Sequence, residues 1–155
     1  MAKAEPQIRL QLRLFGYPSV SVNDEPVRLG DRRALALIVY LVWANGAVPR
    51  ETVSPLLWPE ADGDIGRMRL RRLVYKIRQA MGVDVIGSDR LNLHLAENVA
   101  PESDVAAFEQ FLAEHRFAEA EALYSSDFLQ GFHVDEASEL DEWMFFRREA
   151  LRGRL

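Results

Sequence analysis

Residues 8–16, IRLQLRLFG, alternate apolar and polar side chains, with Ile8, Leu10, Leu12 and Leu14 in phase. A period of two over this length predicts a half-buried strand. Tyr17-Pro18 breaks it, and short strands are expected at Ser19–Val22 and Val27–Leu29 around the turn pair Asn23-Asp24. The period then changes. Residues 31–45 predict a helix capped by Asp31 and stopped at Gly46. It is apolar nearly all round from Ala34 to Trp43, which makes it the central buried helix, with Tyr40 and Trp43 in the core. Residues 50–58 predict a short, irregular helix ending at Pro59. Pro55 either interrupts that helix or, with Ser54 as cap, begins it.

Residues 64–82, DIGRMRLRRLVYKIRQAMG, carry the clearest helical signal. Leu70, Leu73, Val74, Ile77 and Met81 form one apolar stripe. Met68, Arg72, Tyr75 and Gln79 lie opposite, flanked by Arg71 and Lys76, with Arg67, Arg69 and Arg78 nearer the margins of the stripe. From Arg67 to Arg78 there are six basic residues and no acid. A solvated helix face usually mixes charge signs at i,i+4 spacing, and this one does not. Unopposed cations repel one another, which a phosphate partner relieves. Three readings fit the pattern: a helix for a DNA major groove, a solvated helix whose arginine stems cover the core edge, and a surface for RNA or an acidic protein. The DNA reading accounts for the most features.

Residues 83–96 predict a β-hairpin, with a turn at Gly87-Ser88-Asp89, Arg90 at the tip and Leu91, Leu93 and Leu95 in alternation. His94 is expected to face solvent with Asn92. The order of sheet, helix, short helix, basic helix and hairpin is that of a winged helix-turn-helix with an N-terminal antiparallel sheet. In such folds the third helix enters the major groove and the hairpin lies beside the minor groove, whose negative potential favours an arginine. After Ala100-Pro101 the pattern is wholly helical. Ser103 caps a helix bearing Val105, Phe108 and Leu112. Residues 117–124 bring small side chains at Ala118, Ala120 and Ala122, and residues 137–153 carry Leu140, Trp143, Met144 and Leu151. A helical hairpin followed by another helix suggests tetratricopeptide-like stacking, cut short of its usual repeat number. The fold class is therefore α+β, with a winged helix-turn-helix over 1–98 and the start of an all-α unit over 99–155.

Charge sharpens this division. The chain of 155 residues has 19 Lys+Arg and 24 Asp+Glu, a net charge of −5, which by itself speaks against a nucleic-acid partner. Residues 1–96 hold 14 basic and 10 acidic residues, a balance of +4, and residues 97–155 hold 5 and 14, a balance of −9. Two units with different partners are implied. The absence of cysteine excludes disulfide frameworks, thiolate zinc sites and iron–sulfur ligation, and His94, His115 and His133 are too widely spaced for a metal site. His133 with Asp135 and Glu136 matches no motif with a mechanism, and neither a glycine-rich phosphate loop nor a G-x-S-x-G elbow occurs. No enzyme, metal or cofactor is expected. The start, MAKAEPQIRL, lacks a signal-peptide layout, and no apolar run spans a bilayer, so a soluble cytoplasmic protein is expected.

The segments LRLFG (12–16), RALALIVYLV (33–42), LLWPEA (56–61), RLRRLVYKIRQAMG (69–82), SDVAAFEQFLAE (103–114) and ELDEWMFFRREAL (139–151), in that order and spacing, carry a family resemblance. The chain resembles bacterial transcriptional activators that join a response-regulator-type winged helix to a bacterial transcriptional activator domain, as in the antibiotic regulatory proteins of actinomycetes. The resemblance implies sequence-specific binding to double-stranded promoter DNA, often at direct repeats, and activation through RNA polymerase. It also implies that the helical unit aids dimerisation or regulation. By position, Arg67, Arg71, Arg72, Tyr75 and Lys76 fall on the recognition helix, and Arg32 and Arg33 fall where the family has basic residues entering the central helix. Arg71, Arg72, Tyr75 and Lys76 are the candidates for base edges. Arg32, Arg33, Arg67, Arg78 and Arg90 are candidates for phosphates or the minor groove. Met68, Arg69, Tyr75 and Pro55 depart from the family pattern. A second function class stays open, a protein-interaction module whose winged helix no longer reads DNA and whose acidic half docks a partner.

Overall fold

The computed structural model describes residues 7–155; segment 1–6, which holds most of the stretch expected to carry no signal peptide, lies outside them. Strand β1 (Ile8–Arg13) buries Ile8, Leu10 and Leu12 and exposes Arg9 and Arg13, as its alternation requires. It pairs antiparallel with β2 (Ser19–Val22), which pairs with β3 (Glu25–Val27). The third strand starts two residues before the expected Val27–Leu29. The reason is that Asn23 and Asp24 both take positive φ, 49° and 69°, making a two-residue hairpin turn that sets Glu25 opposite Val22.

Helix α1 (Arg32–Ala44) is capped by the Asp31 carboxylate, which accepts a hydrogen bond from the Arg33 N–H. It ends on Asn45 in the left-handed conformation, one residue before the expected Gly46. Residues Ala34–Val39 and Leu41 are buried; Tyr40 and Trp43 are half-buried against the core. A two-residue strand, β4 (Val48–Pro49), leads into α2 (Arg50–Leu57), which contains Pro55. The helix runs through the proline rather than starting at Ser54. Pro55 lacks the N–H that would reach the carbonyl of Glu51, so the helix carries one backbone bond fewer at that turn. Helix α3 (Gly63–Met81) is capped by Asp62 and closed by Gly82 at φ 73°. It buries Leu70, Leu73, Val74, Ile77 and Met81, the stripe read from spacing. Strands β5 (Ile86–Ser88) and β6 (Asn92–Leu95) form the expected hairpin, and β4 adds to its far edge in the order β4-β6-β5.

The chain then departs from its expected course. Residues Val99–Ser103, expected to lead straight into helices, form β7, which pairs parallel to β1 from Ile8–Val99 to Leu12–Ser103. The N-terminal sheet is therefore mixed, ordered β3-β2-β1-β7, and not purely antiparallel. Pro101 is tolerated because β7 is an edge strand. Helix α4 (Asp104–Ala113) follows, with Ser103 accepting from the Ala106 N–H, and packs against α5 (Phe117–Leu123). Of the three small residues expected to mediate that packing, Ala120 is buried while Ala118 and Ala122 are exposed. Helix α6 (Ser138–Arg152) buries Leu140, Met144 and Leu151 and touches α2.

The seam between the two halves of the chain is aromatic. Trp43 of α1 lies 5.9 Å from Trp143 of α6 and 5.6 Å from Phe128, ring centre to ring centre. The Arg147 guanidinium sits 5.5 Å from the Trp43 ring and 4.9 Å from the Trp143 ring. The Asp104 carboxylate accepts hydrogen bonds from the Leu14 and Phe15 N–H groups at 2.8 and 3.0 Å, tying the end of β1 to the start of α4. Buried side chains of both halves form one continuous cluster.

Candidate nucleic-acid interface

Gly66, in the first turns of α3, is buried against α2, where a Cβ would lie 2.3 Å from the Ser54 hydroxyl oxygen. The missing side chain lets the two helices cross closely. With its apolar stripe turned inward, α3 presents Ile65, Met68, Arg69, Arg71, Arg72, Tyr75, Lys76 and Gln79 to solvent. The residues expected there are thus brought onto one face: Arg71, Arg72, Tyr75 and Lys76 are all exposed. Among the described residues, Arg69, Arg71, Arg72 and Lys76 have no ion pair or hydrogen-bonding side-chain partner. Arg67 is exposed as well but pairs with Asp64 one turn earlier.

Three expected contacts are committed elsewhere. Arg78 donates to the Ile86 carbonyl at 2.9 Å and lies 3.7 Å from Asp84, so it fastens α3 to β5. Arg33 donates to the carbonyls of Leu57 at 2.9 Å and Asp135 at 3.0 Å, with its guanidinium 6.0 Å from the Trp58 ring. Arg32 donates to the His133 carbonyl at 3.2 Å. Both arginines hold the 133–135 segment against α1. They also line a cleft of about 700 Å³ with Lys76, Ala80 and Val134, so basic surface continues from α3 to the start of α1.

The hairpin stands apart from this cleft, with Arg90 exposed at its tip beside the exposed Leu91. Its turn is shaped by Asp89, whose carboxylate accepts from the Leu91 and Asn92 N–H groups, both at 2.8 Å. Those two backbone bonds hold the Asp89 carboxyl below the usual carboxylate range. Arg50 was not anticipated at this site. Its Nε donates to the Asp89 carbonyl at 3.1 Å and its backbone N–H to the Leu91 carbonyl at 2.8 Å, so it braces the hairpin tip. A basic residue just after β4 is the only sequence signal for that role. Arg69, near the margin of the stripe by spacing, is free and exposed. His94, expected in solvent, is half-buried with its ring over Gly87, where a Cβ would meet the ring at 2.3 Å. Its Nδ1 lies 2.8 Å from the Leu95 carbonyl oxygen.

His133 lies at the surface between Asp135 and Asp141, with ring nitrogens 3.4 and 3.3 Å from their carboxylate oxygens. Among the described residues no group of three or more histidine and carboxylate side chains is placed to hold a metal ion. Among them, too, no helix is long and apolar enough to cross a membrane.

No protein-family model matches the chain, and no curated protein matches it in sequence. In solved structures its fold is similar to that of Mycobacterium tuberculosis EmbR in complex with a low-affinity phosphopeptide. The TM-score is 0.67 at 18% identity, over 96% of this chain and 44% of that one. The chain thus spans less than half the length of the protein it matches. At this identity the likeness is one of fold, and it takes in both the sheet-and-helix half and the helical half.

Proposed function

We propose that the protein is a bacterial transcriptional regulator that binds double-stranded DNA sequence-specifically and activates transcription. In this reading α1–α3 with the β5–β6 hairpin is a winged helix-turn-helix, α3 is the recognition helix in the major groove, and the hairpin lies at the minor groove. The observation that carries it is the outward face of α3, where Arg69, Arg71, Arg72 and Lys76 stand exposed without acidic partners. Such a face has unfavourable self-repulsion in water and a favourable use against phosphates. The EmbR-like fold and the sequence resemblance to actinomycete antibiotic regulatory proteins support a regulator of that type.

Roles divide along the interface. Arg71, Arg72, Tyr75 and Lys76 reach base edges, while Arg67, Arg69 and Arg90 serve phosphates or the minor groove. Arg32 reaches the backbone from the cleft it shares with Lys76. Helices α4–α6 form a tetratricopeptide-like unit for RNA polymerase contact or dimerisation on direct repeats. Its exposed Phe145 and Phe146, with Glu142 and Glu149 beside them, suit a protein partner. The chemistry is binding without catalysis, in the cytoplasm.

Selection from a random pool of duplexes with the full chain tests the reading. A shared motif should emerge, and the triple variant Arg71→Ala, Arg72→Ala, Lys76→Ala should no longer retain it. Recovery of no motif, or equal retention by the triple variant, would leave the protein-interaction module as the better account.

A further inference from the structure

Ile65, Met68, Arg72 and Tyr75 succeed one another at intervals of three or four residues and form one row along the solvent side of α3. Three of these four are large side chains with apolar surface, and they are left in water: Ile65 is 41% exposed, Met68 37% and Tyr75 63%. They do not belong to a second core, because Leu70, Leu73, Val74 and Ile77 already cover the opposite side of the helix. Arg69 and Lys76 flank the row on one side and Arg71 on the other, all exposed. An apolar row between unpaired cations matches a polyanion that displays apolar groups at set positions. The major groove of DNA is such a surface. Its base edges offer one apolar group, the thymine 5-methyl. The corresponding groove of an RNA duplex is too narrow to admit these side chains.

We propose that α3 reads thymine. Met68 and the ring of Tyr75 each pack on a thymine methyl, and the Arg72 guanidinium between them bonds a guanine. The inference rests on α3 being the DNA-reading helix, and it names what that helix reads. Met68 and Tyr75 are separated by two helical turns, about 10 Å along the helix axis, with Arg72 between them. The two thymine contacts therefore lie on either side of the guanine.

Replacing thymines one at a time by deoxyuridine in the selected duplex removes the methyl and keeps every hydrogen-bonding group. Affinity of the full chain should fall about fourfold at each of two positions, the equivalent of one buried methyl. Met68→Ala should bind the thymine and deoxyuridine duplexes equally at one of them, and Tyr75→Ala at the other. Tyr75→Phe should keep the discrimination, since the ring remains. Tyr75 is 63% exposed, so thermal melting of its two variants should match the parent. If the chain binds its selected motif but no deoxyuridine substitution changes affinity, thymine reading is wrong and α3 remains the reading helix. If no motif is selected at all, the DNA-binding reading fails and this inference fails with it.

Discussion

Tyr124 donates its hydroxyl to the Asp127 carboxylate at 2.6 Å, and Arg152 closes the group by pairing with the same carboxylate. Partial burial, and then the hydrogen bond to Asp127, push the Tyr124 phenol up to about 12. The folded state therefore favours the neutral phenol. The stability this supplies is complete below the ordinary tyrosine pKa of about 10 and is lost as pH rises from there through about 12. Phenolate absorbance of the folded protein should show a late step from Tyr124, near pH 12, and Tyr124→Phe should abolish it. Loss of a step near pH 10 in Tyr124→Phe, with no late step in the parent, would contradict the geometry. The arginines show how far single residues are legible from sequence. Arg71, Arg72 and Lys76 were readable because their neighbours on the same helix decide which way they face. Arg32, Arg33 and Arg78 were not, because their partners are carbonyls set by tertiary structure. For Arg32 and Arg33 the partners at His133 and Asp135 lie about a hundred residues further along the chain. A basic residue at a helix start looks the same in sequence whether it awaits a phosphate or already holds a loop.

Long elements declared themselves by period, and short ones did not. Helices α1, α3, α4 and α6 each present a stripe over ten or more residues, and β1 alternates throughout. Strand β4 has two residues, too few for any period, and β7 has two exposed positions, Pro101 and Glu102, that break any alternation. What makes β7 a strand is β1 beside it, a partner that pattern within 99–103 cannot reveal. The crossing of α2 over α3 was equally hidden in Gly66, which reads as a mild helix weakener and is in fact the contact point. A methyl group there meets only the Ser54 hydroxyl at 2.3 Å, with the Ser54 Cβ at 3.6 Å, and the hydroxyl can rotate away. Gly66→Ala should thus be near neutral in urea unfolding, because gained helix propensity of up to ~1 kcal/mol offsets the adjustment. Gly66→Leu has no such escape and should cost about 2–3 kcal/mol. Equal stability of the Ala and Leu variants would show that the helices do not meet there.

Across the whole molecule, the acidic total concealed a basic face, and the structure makes the division spatial as well as sequential. The outward side of α3 collects cations, while residues 97–155 hold 14 of the 24 acids. The two halves are nevertheless joined. They share a core, the sheet borrows β7 from beyond the hairpin, and Arg32, Arg33 and Arg147 span the seam. An arginine between two tryptophans adds on the order of 1 kcal/mol of cation–π attraction to that seam. The helical half therefore helps to set where α3 points. The claim that α3 meets DNA phosphates is tested most directly by the salt dependence of affinity for the selected duplex. The logarithm of the binding constant should fall linearly with the logarithm of salt concentration. Arg67→Ala, which removes a phosphate contact, should make that slope shallower by about one, and Arg71→Ala and Lys76→Ala, which remove contacts to base edges, should lower affinity. An unchanged slope together with unchanged affinity in all three variants would contradict the account.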